Sequence, residues 1–418
     1  MSIGSQITTS GTNAGRPVPP NILWIVTTQW RSQACGYAGD PQARTPFLDE
    51  LASRSIDFSQ AVTPHPFGPF ARAAMLTGTA SPANGVRDYF DPLPETARTV
   101  AHDLSDCGYA TAFFGKWHLA PRDPEAALVG EVHARMEVPA ARRGGFRFWE
   151  GFESGFLLNN PWLHGTRLPE PIRFRGYQSD VICERALGYL RPLVDPWFAV
   201  VSLEAPHPPY DAPAAGVIAA DPGSVALRAN VPATGGAAER ARRELAGYYA
   251  HIEATDRAIG GLLRGLPPWT AVVFTSVHGD MHGSHGLFRK GWPHEESVRV
   301  PLLVRCALPA RIDRGPVSLI DLPAITRSLA TDPDIAALRG HAPRRHSVIS
   351  MPSVVALADQ CDRVWSGVRT PTRKLVLNAD GSPWLYFDIE RDPLELRDLS
   401  ADPARAGEIA SLRAELSP

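Results

Sequence analysis

Only three of the 42 basic residues in this chain are lysines, Lys116, Lys290 and Lys374; the rest are arginines. Arginine and lysine exchange on most surfaces but not where a compact ammonium is needed, so these positions are candidates for chemistry. Lys116 and His118 directly follow the apolar run Ala110–Phe114. Three other apolar runs end in a similar way. Thr27-Thr28-Gln29 follow Asn21–Val26, Glu204 and His207 follow Trp197–Leu203, and Val277, His278 and Asp280 follow Ala271–Ser276. Ammonium and guanidinium groups clamp sulfate or phosphate oxygens. Imidazoles and carboxylates move protons. A lone histidine at any one of these ends has an ordinary structural reading, but convergence of four ends points to a site.

The elements that must position these residues follow from the apolar pattern. Short, nearly continuous apolar runs read as strands buried on both faces, namely the four above and Pro301–Arg305. Between them lie predicted helices. One opens at Thr45-Pro46, with Thr45 as N-cap and Phe47, Leu48 and Leu51 on one side. Others run from about Ala71 to Gly78, from about Thr96 to Cys107, and from Ala237 to Leu266. The alternation predicts a large, mainly parallel α/β sheet flanked by helices. In such sheets ligands gather beyond the C-terminal ends of the strands. Residues 1–20 read as a flexible arm, residues 21–344 as the α/β domain, and residues 345–418 as a small C-terminal antiparallel subdomain. The latter is expected from strands at Ser347–Met351, Arg363–Val368, Lys374–Leu377 and Leu385–Asp388. The Ala-, Pro- and Gly-rich stretch from His207 to Glu239 reads as a surface excursion.

The composition narrows the class. At 44% hydrophobic, 21% charged and a net charge of −2, the chain reads as a globular protein without the basic stripe of a nucleic-acid binder. Five scattered cysteines lack metal-ligand spacing and are expected as reduced thiols. No run is long enough to span a membrane, and the polar N-terminus lacks the apolar core of a signal peptide, so a cytoplasmic location is the expectation.

A series of ordered motifs from Asn21 onward resembles the sulfatase family of the alkaline phosphatase superfamily. They are NILWIV with TQWR, RTPFLDELA, ARAAMLTG, NGVRD, GYATAFFGKWHLA, EAPHPPYDAP, HGDMHGSHGLFRKGWPHEESVRVPLLVR and LYFDIERDPLEL. The resemblance implies the α/β architecture with its C-terminal antiparallel subdomain. It also implies a cysteine or serine nucleophile in C-x-P-x-R, matured to formylglycine, and a divalent cation held by carboxylates. Aligning Arg72–Gly78 on the family's R-A-S-L-L-T-G places Gly68 at the nucleophile, and Phe70 stands for the proline. Glycine cannot form a covalent intermediate. His65 and Thr63 lie upstream but out of register. Thr28 and Val277 replace metal-binding aspartates, so neither a bound metal nor another cofactor is expected.

The family's substrate-side positions map onto Arg72, Lys116, His118, His207 and Lys290, all of the family's type, with His278 beside them. Three lysines placed at random among 42 basic positions would fill both Lys116 and Lys290 about once in three hundred trials. Lys374 also matches a family motif but has no expected catalytic role. Losing a dication and two aspartates together leaves the pocket's attraction for an anion intact.

Three functions fit this pattern. The first is a metal-independent enzyme that binds a sulfate or phosphate monoester and expels the anion by C–O cleavage, through ring closure or elimination in small-molecule biosynthesis. Lys116, Lys290, His118 and His207 are its expected catalytic groups; His118, His207, His282 and Glu204 are candidates for general base. The second is a non-catalytic partner subunit that keeps an anion pocket. The third is a residual hydrolase with another nucleophile. The expected partner is a small anionic ester, with a protein partner or homodimer left open. Asp280 and His285 are expected behind the site, Asn84–Asp88 in its wall, and Glu295-Glu296 paired with Arg299 beneath the Lys290 loop.

Overall fold

The first apolar run forms the central strand β1 (Ile22–Thr27), with all six residues buried and partners on both sides. The structure, a computed structural model, describes residues 19–194, 196–331 and 344–416. Most of the expected N-terminal arm therefore lies outside the described residues. In chain order the next strands are β2 (Ile56–Phe58), β3 (Ala61–Val62), β4 (Ala110–Lys116), β5 (Phe148–Phe152) and β6 (Trp162–Gly165). They are followed by β7 (Leu168–Arg173), β8 (Trp197–Ser202), β9 (Ala271–Ser276), β10 (Leu302–Arg305), β11 (Arg311–Asp313) and β12 (Val317–Ser318).

Ten of these make one sheet in the order β11-β2-β10-β9-β1-β8-β4-β5-β6-β7. Its middle, from β9 to β5, is parallel. The strand β10 is antiparallel to β9, and β6 is antiparallel to β5. Alternation along β1 sends Ile22, Trp24 and Val26 into one core and Leu23 and Ile25 into the other. This is the mixed but mainly parallel α/β sheet expected, with helices on both faces. The α-helices up to residue 265 are α1 (Pro46–Ala52), α2 (Gly68–Thr77), α3 (Val100–Asp106), the single-turn α4 (Glu131–Arg135), α5 (Gln178–Leu190) and α6 (Gly236–Gly265); others follow at Glu295–Val298, Leu322–Thr331 and Ala406–Ala414.

Helix boundaries differ from expectation for identifiable reasons. Thr45 sits at the N-cap of α1 without capping it; its hydroxyl bonds Asp49, and the Asp256 carboxylate takes the Phe47 and Leu48 amides instead. The helix α2 starts at Gly68 rather than Ala71, with Pro69 in the first turn where its missing N–H costs nothing. Gly78 ends it at φ 70°, the left-handed cap expected of glycine. The helix α3 starts only at Val100, because Thr99 and His102 form a capping box.

A separate four-stranded antiparallel sheet is built from β13 (Ser347–Met351), β14 (Trp365–Arg369), β15 (Arg373–Asn378) and β16 (Pro383–Asp388). The expected 207–239 excursion is mostly irregular up to the start of α6 at Gly236 and is not wholly superficial: His207, Tyr210, Val225, Asn230 and Val231 are buried. All five cysteines are free; Cys35, Cys183 and Cys361 are buried and Cys107 is exposed. Among the described residues no helix is long and apolar enough to cross a membrane.

Candidate functional site

The strands β9, β1, β8 and β4 are adjacent and parallel, so their C-terminal ends share one rim. Register pairs Thr27 with Ser276, Val26 with Ser202, and Ser202 with Gly115. The residues just beyond, Thr28, Gln29, Glu204, His207, His278 and Asp280, therefore meet Lys116 and His118 at one level. The N-terminal turns of α2 bring Gly68 and Arg72 to the same place. Every one of these side chains is buried.

The cations are held by specific partners. Arg72 donates to the Lys116 carbonyl (3.0 Å), the Ser202 hydroxyl (2.7 Å) and the Thr28 hydroxyl (3.0 Å). Burial lowers its pKa to about 10, against the pull of Glu204 and Glu153. Lys116 Nζ pairs with Glu204 Oε1 at 2.7 Å and lies 4.5 Å from the centre of the Phe156 ring. That ring stacks on His207 at 4.4 Å. Lys290 Nζ donates to Gln29 Oε1 (2.5 Å) and to His207 Nε2 (3.2 Å). Gln29 Nε2 in turn donates to Asp280 Oδ2, which also accepts from the Tyr210 hydroxyl. Burial lowers Lys116 to about 8. Burial, with Lys116 nearby, lowers Lys290 to about 7.

The three rim histidines differ in which atom they leave free. Burial first, and the surrounding cations second, hold all three well below the ordinary imidazole pKa, so they are neutral. Arginine has only donors, so the 2.6 Å contact from Arg122 Nη1 makes His118 Nε2 an acceptor and leaves the proton on Nδ1. That Nδ1–H is buried and has no partner among the described residues. His207 and His278 each donate Nδ1–H to a carbonyl, of Pro208 and Gly279 respectively. His207 Nε2 then accepts from Lys290, while His278 Nε2 is left without a partner. With its Nε2 lone pair engaged, His118 is unsuited to the general-base role that its sequence position allowed. His282, another base candidate, lies deeper, against Tyr248 and Asp280.

Gly68 and His118 are fitted together. A Cβ built on Gly68 would lie 3.0 Å from His118 Nδ1 and 3.3 Å from Cε1, so the imidazole stands over the place of the missing side chain. His118 has φ 60°, and Gln29 (67°), Phe156 (55°), His282 (46°) and Arg289 (61°) share this left-handed conformation. Such backbone costs about 1–3 kcal/mol per residue and persists where surrounding structure enforces it. The metal positions do not fit a hard divalent cation, which requires several oxygen ligands with carboxylates among them. The Thr28 hydroxyl donates to the Leu203 carbonyl and accepts from Arg72, and Val277 is apolar and buried.

Sequence reasoning missed two supports. Glu153 accepts the Leu119 and Ala120 amides and lies 3.5 Å from Arg122, which fixes His118. The signal available was the basic residue four positions after His118. Other readings need correction. Glu295 pairs with Arg369 and Lys374, whereas Glu296 accepts from Asn230 and lies near Arg228; Arg299 donates to the Ser59 carbonyl. His65, read as out of register with the nucleophile position, bonds the Ser350 carbonyl and accepts the Ser81 amide. His285, Glu296 and Glu395 bring ligand atoms within 4.8 Å of one another, but the Asn230 amide and the Lys374 ammonium already engage them.

Comparison with known proteins bears on the family and the fold. Residues 20–329 match the family described as Sulfatase. An ulvan-active sulfatase of Formosa agariphila is 38% identical over 69% of this chain, a match spanning 56% of that relative's length. An arylsulfatase of Clostridium perfringens is 24% identical over 91% of this chain and 90% of its own. Among solved structures, a putative sulfatase from Bacteroides fragilis superposes with a TM-score of 0.82 at 23% identity, covering 97% of this chain and 96% of that one.

Proposed function

This chain belongs to the sulfatase family, and from that premise we propose that it binds a sulfate monoester but expels the sulfate by C–O cleavage instead of attacking sulfur. The observation that carries this reading is the Gly68–His118 pair. By the family resemblance Gly68 stands where attack on sulfur would begin, and the imidazole beside it presents an N–H and no nucleophile. That donor, with Arg72, Lys116 and Lys290, suits the oxygens of a departing anion. The relatives named above are sulfatases, which supports a sulfate ester as the ligand.

The chemistry balances without a metal. A nucleophile within the substrate forms a new bond to the carbon that carries the ester oxygen. The C–O electron pair leaves on that oxygen, and the ammonium, guanidinium and imidazole donors stabilise the sulfate formed. The nucleophile's proton passes to a lone pair of the rim. Where a C–H proton is removed instead, the product is an alkene. Holding both ends of one molecule in place accelerates such displacements strongly. A reaction of this kind builds small molecules and does not merely desulfate them.

The test is isotopic. ω-Hydroxyalkyl and ω-aminoalkyl sulfates are incubated with the protein in ¹⁸O-water, and the released sulfate is weighed by mass spectrometry. Unlabelled sulfate with a cyclic or unsaturated product is expected; solvent oxygen in the sulfate means S–O cleavage and ends this reading. Absence of any turnover with retained sulfate binding favours a binding subunit. A related prediction concerns Gly68→Cys. The new Cβ meets His118 Nδ1, Phe70 stands where maturation needs proline, and the metal carboxylates are replaced. Hydrolysis of a chromogenic aryl sulfate is therefore expected to stay at background in this variant.

A further inference from the structure

We infer that the ester's organic half carries an amine beside the sulfate group, and that Glu204 is the residue that recognises it and takes its proton. This rests on the pocket reading above. Glu204 stands at the end of β8 and is fully buried. Its Oε1 pairs with Lys116 and lies 3.8 Å from His207 Nδ1. Its Oε2 has no hydrogen-bond partner among the described residues. A buried carboxylate oxygen left unpaired is costly, and a site serving only an anion has no use for one. His278 Nε2 and Glu153 Oε1 are likewise without a hydrogen-bond partner in the same electrostatic cluster, but Glu153 Oε1 faces Arg122 at 3.5 Å.

The charges at the site point the same way. Arg72, Lys116, Arg122 and Lys290 are set against Glu153, Glu204 and Asp280, which makes the cluster nearly neutral. A zwitterion, sulfate at one end and ammonium at the other, matches this arrangement better than a simple anion. In the reaction, the ammonium gives one proton to Glu204 Oε2. The freed nitrogen lone pair bonds to the sulfate-bearing carbon, and the C–O pair departs on sulfate. The cyclic ammonium that results loses its second proton to solvent.

The experiment is calorimetric titration of the whole protein with 2-aminoethyl sulfate, ethyl sulfate and inorganic sulfate, repeated with Glu204→Gln. The amide of that variant still offers Lys116 an oxygen but no charge. The aminoethyl ester is expected to bind about tenfold or more tightly than the ethyl ester, a ratio set by one charged hydrogen bond. In E204Q that ratio falls to near one, whatever the variant's affinity for ethyl sulfate itself. Equal affinity for the two esters in the unmodified protein overturns the inference but leaves the pocket standing, and so does a preference that survives in E204Q. Failure of all three sulfates to bind overturns the pocket reading as well. The wild-type ratio decides the matter even where E204Q fails to fold.

Discussion

Replacing Lys374 with methionine lowers the unfolding free energy by about 3–5 kcal/mol, the effect of stranding a buried charge. Lys374 on β15 is fully buried, bonded to Glu295 at 3.2 Å and to Glu395. Burial pushes Glu295 upward, but Arg369 and Lys374 outweigh it and hold the carboxyl well below its usual range. With Lys374 gone, Glu295 keeps Arg369, whereas Glu395 has no other cation pairing with it among the described residues. The double variant Lys374→Met with Glu395→Gln should recover most of the loss, because no charge is then left alone. Urea denaturation followed by fluorescence measures both. A loss under about 1 kcal/mol in K374M would mean that the cluster is hydrated and not the clamp described.

Raising the pH from 7 to 9 should weaken sulfate binding while it stabilises the ligand-free fold. Lys290 titrates near 7 in the folded protein and near 10.5 when free. Between those values the unfolded chain holds more protons, so the unfolding free energy rises with pH. The same deprotonation removes an ammonium from the pocket, and sulfate affinity falls through about pH 7, then again near 8 as Lys116 follows. Below pH 7 burial raises Glu153 and Asp256 to about 7 and works the other way, since a carboxylate raised from its free value destabilises the fold as it ionises. The opposed trends are therefore confined to the range above 7. Lys290→Met should lose about tenfold or more of the affinity at pH 6 and flatten the first step of both curves. Isothermal titration and thermal unfolding at matched pH values provide the comparison. Parallel slopes for binding and stability would contradict the assignment.

The rim was legible because burial on both faces forces continuous apolar runs, as in β1, β4, β8 and β9. Residues at the C-terminal end of such a run are positioned almost automatically. The antiparallel extension β6–β7 was not legible: Pro169, Glu170 and Pro171 sit in an exposed edge strand whose composition resembles a loop. Arg122 and Glu153 were missed for another reason. They act through each other and through His118, across 31 positions of sequence, a relation that only the folded chain creates. Lys116 and Lys290 were singled out by scarcity. Their partners Glu204 and Gln29 are common residue types that scarcity cannot flag, yet they decide how much free charge the pocket has. The cap of α1 shows the same limit, because Asp256 arrives from α6, more than two hundred positions away.

The burial of every lysine has a consequence for reagents. Lys116, Lys290 and Lys374 are 1%, 7% and 0% exposed. Outward-facing basic groups among the described residues are therefore guanidinium groups, which amine-directed acylating agents and lysine-specific proteases ignore. The folded protein should resist lysine-specific digestion and take up little amine label. Of the three side-chain amines Lys290 is the most exposed, and near pH 8 it is further into its nucleophilic free-base form than Lys116. Mass mapping after brief acylation should find Lys290 first, with inorganic sulfate slowing its loss. Labelling of Lys374 should appear only as the chain unfolds, so two lysines of one molecule would report separately on pocket occupancy and on global opening.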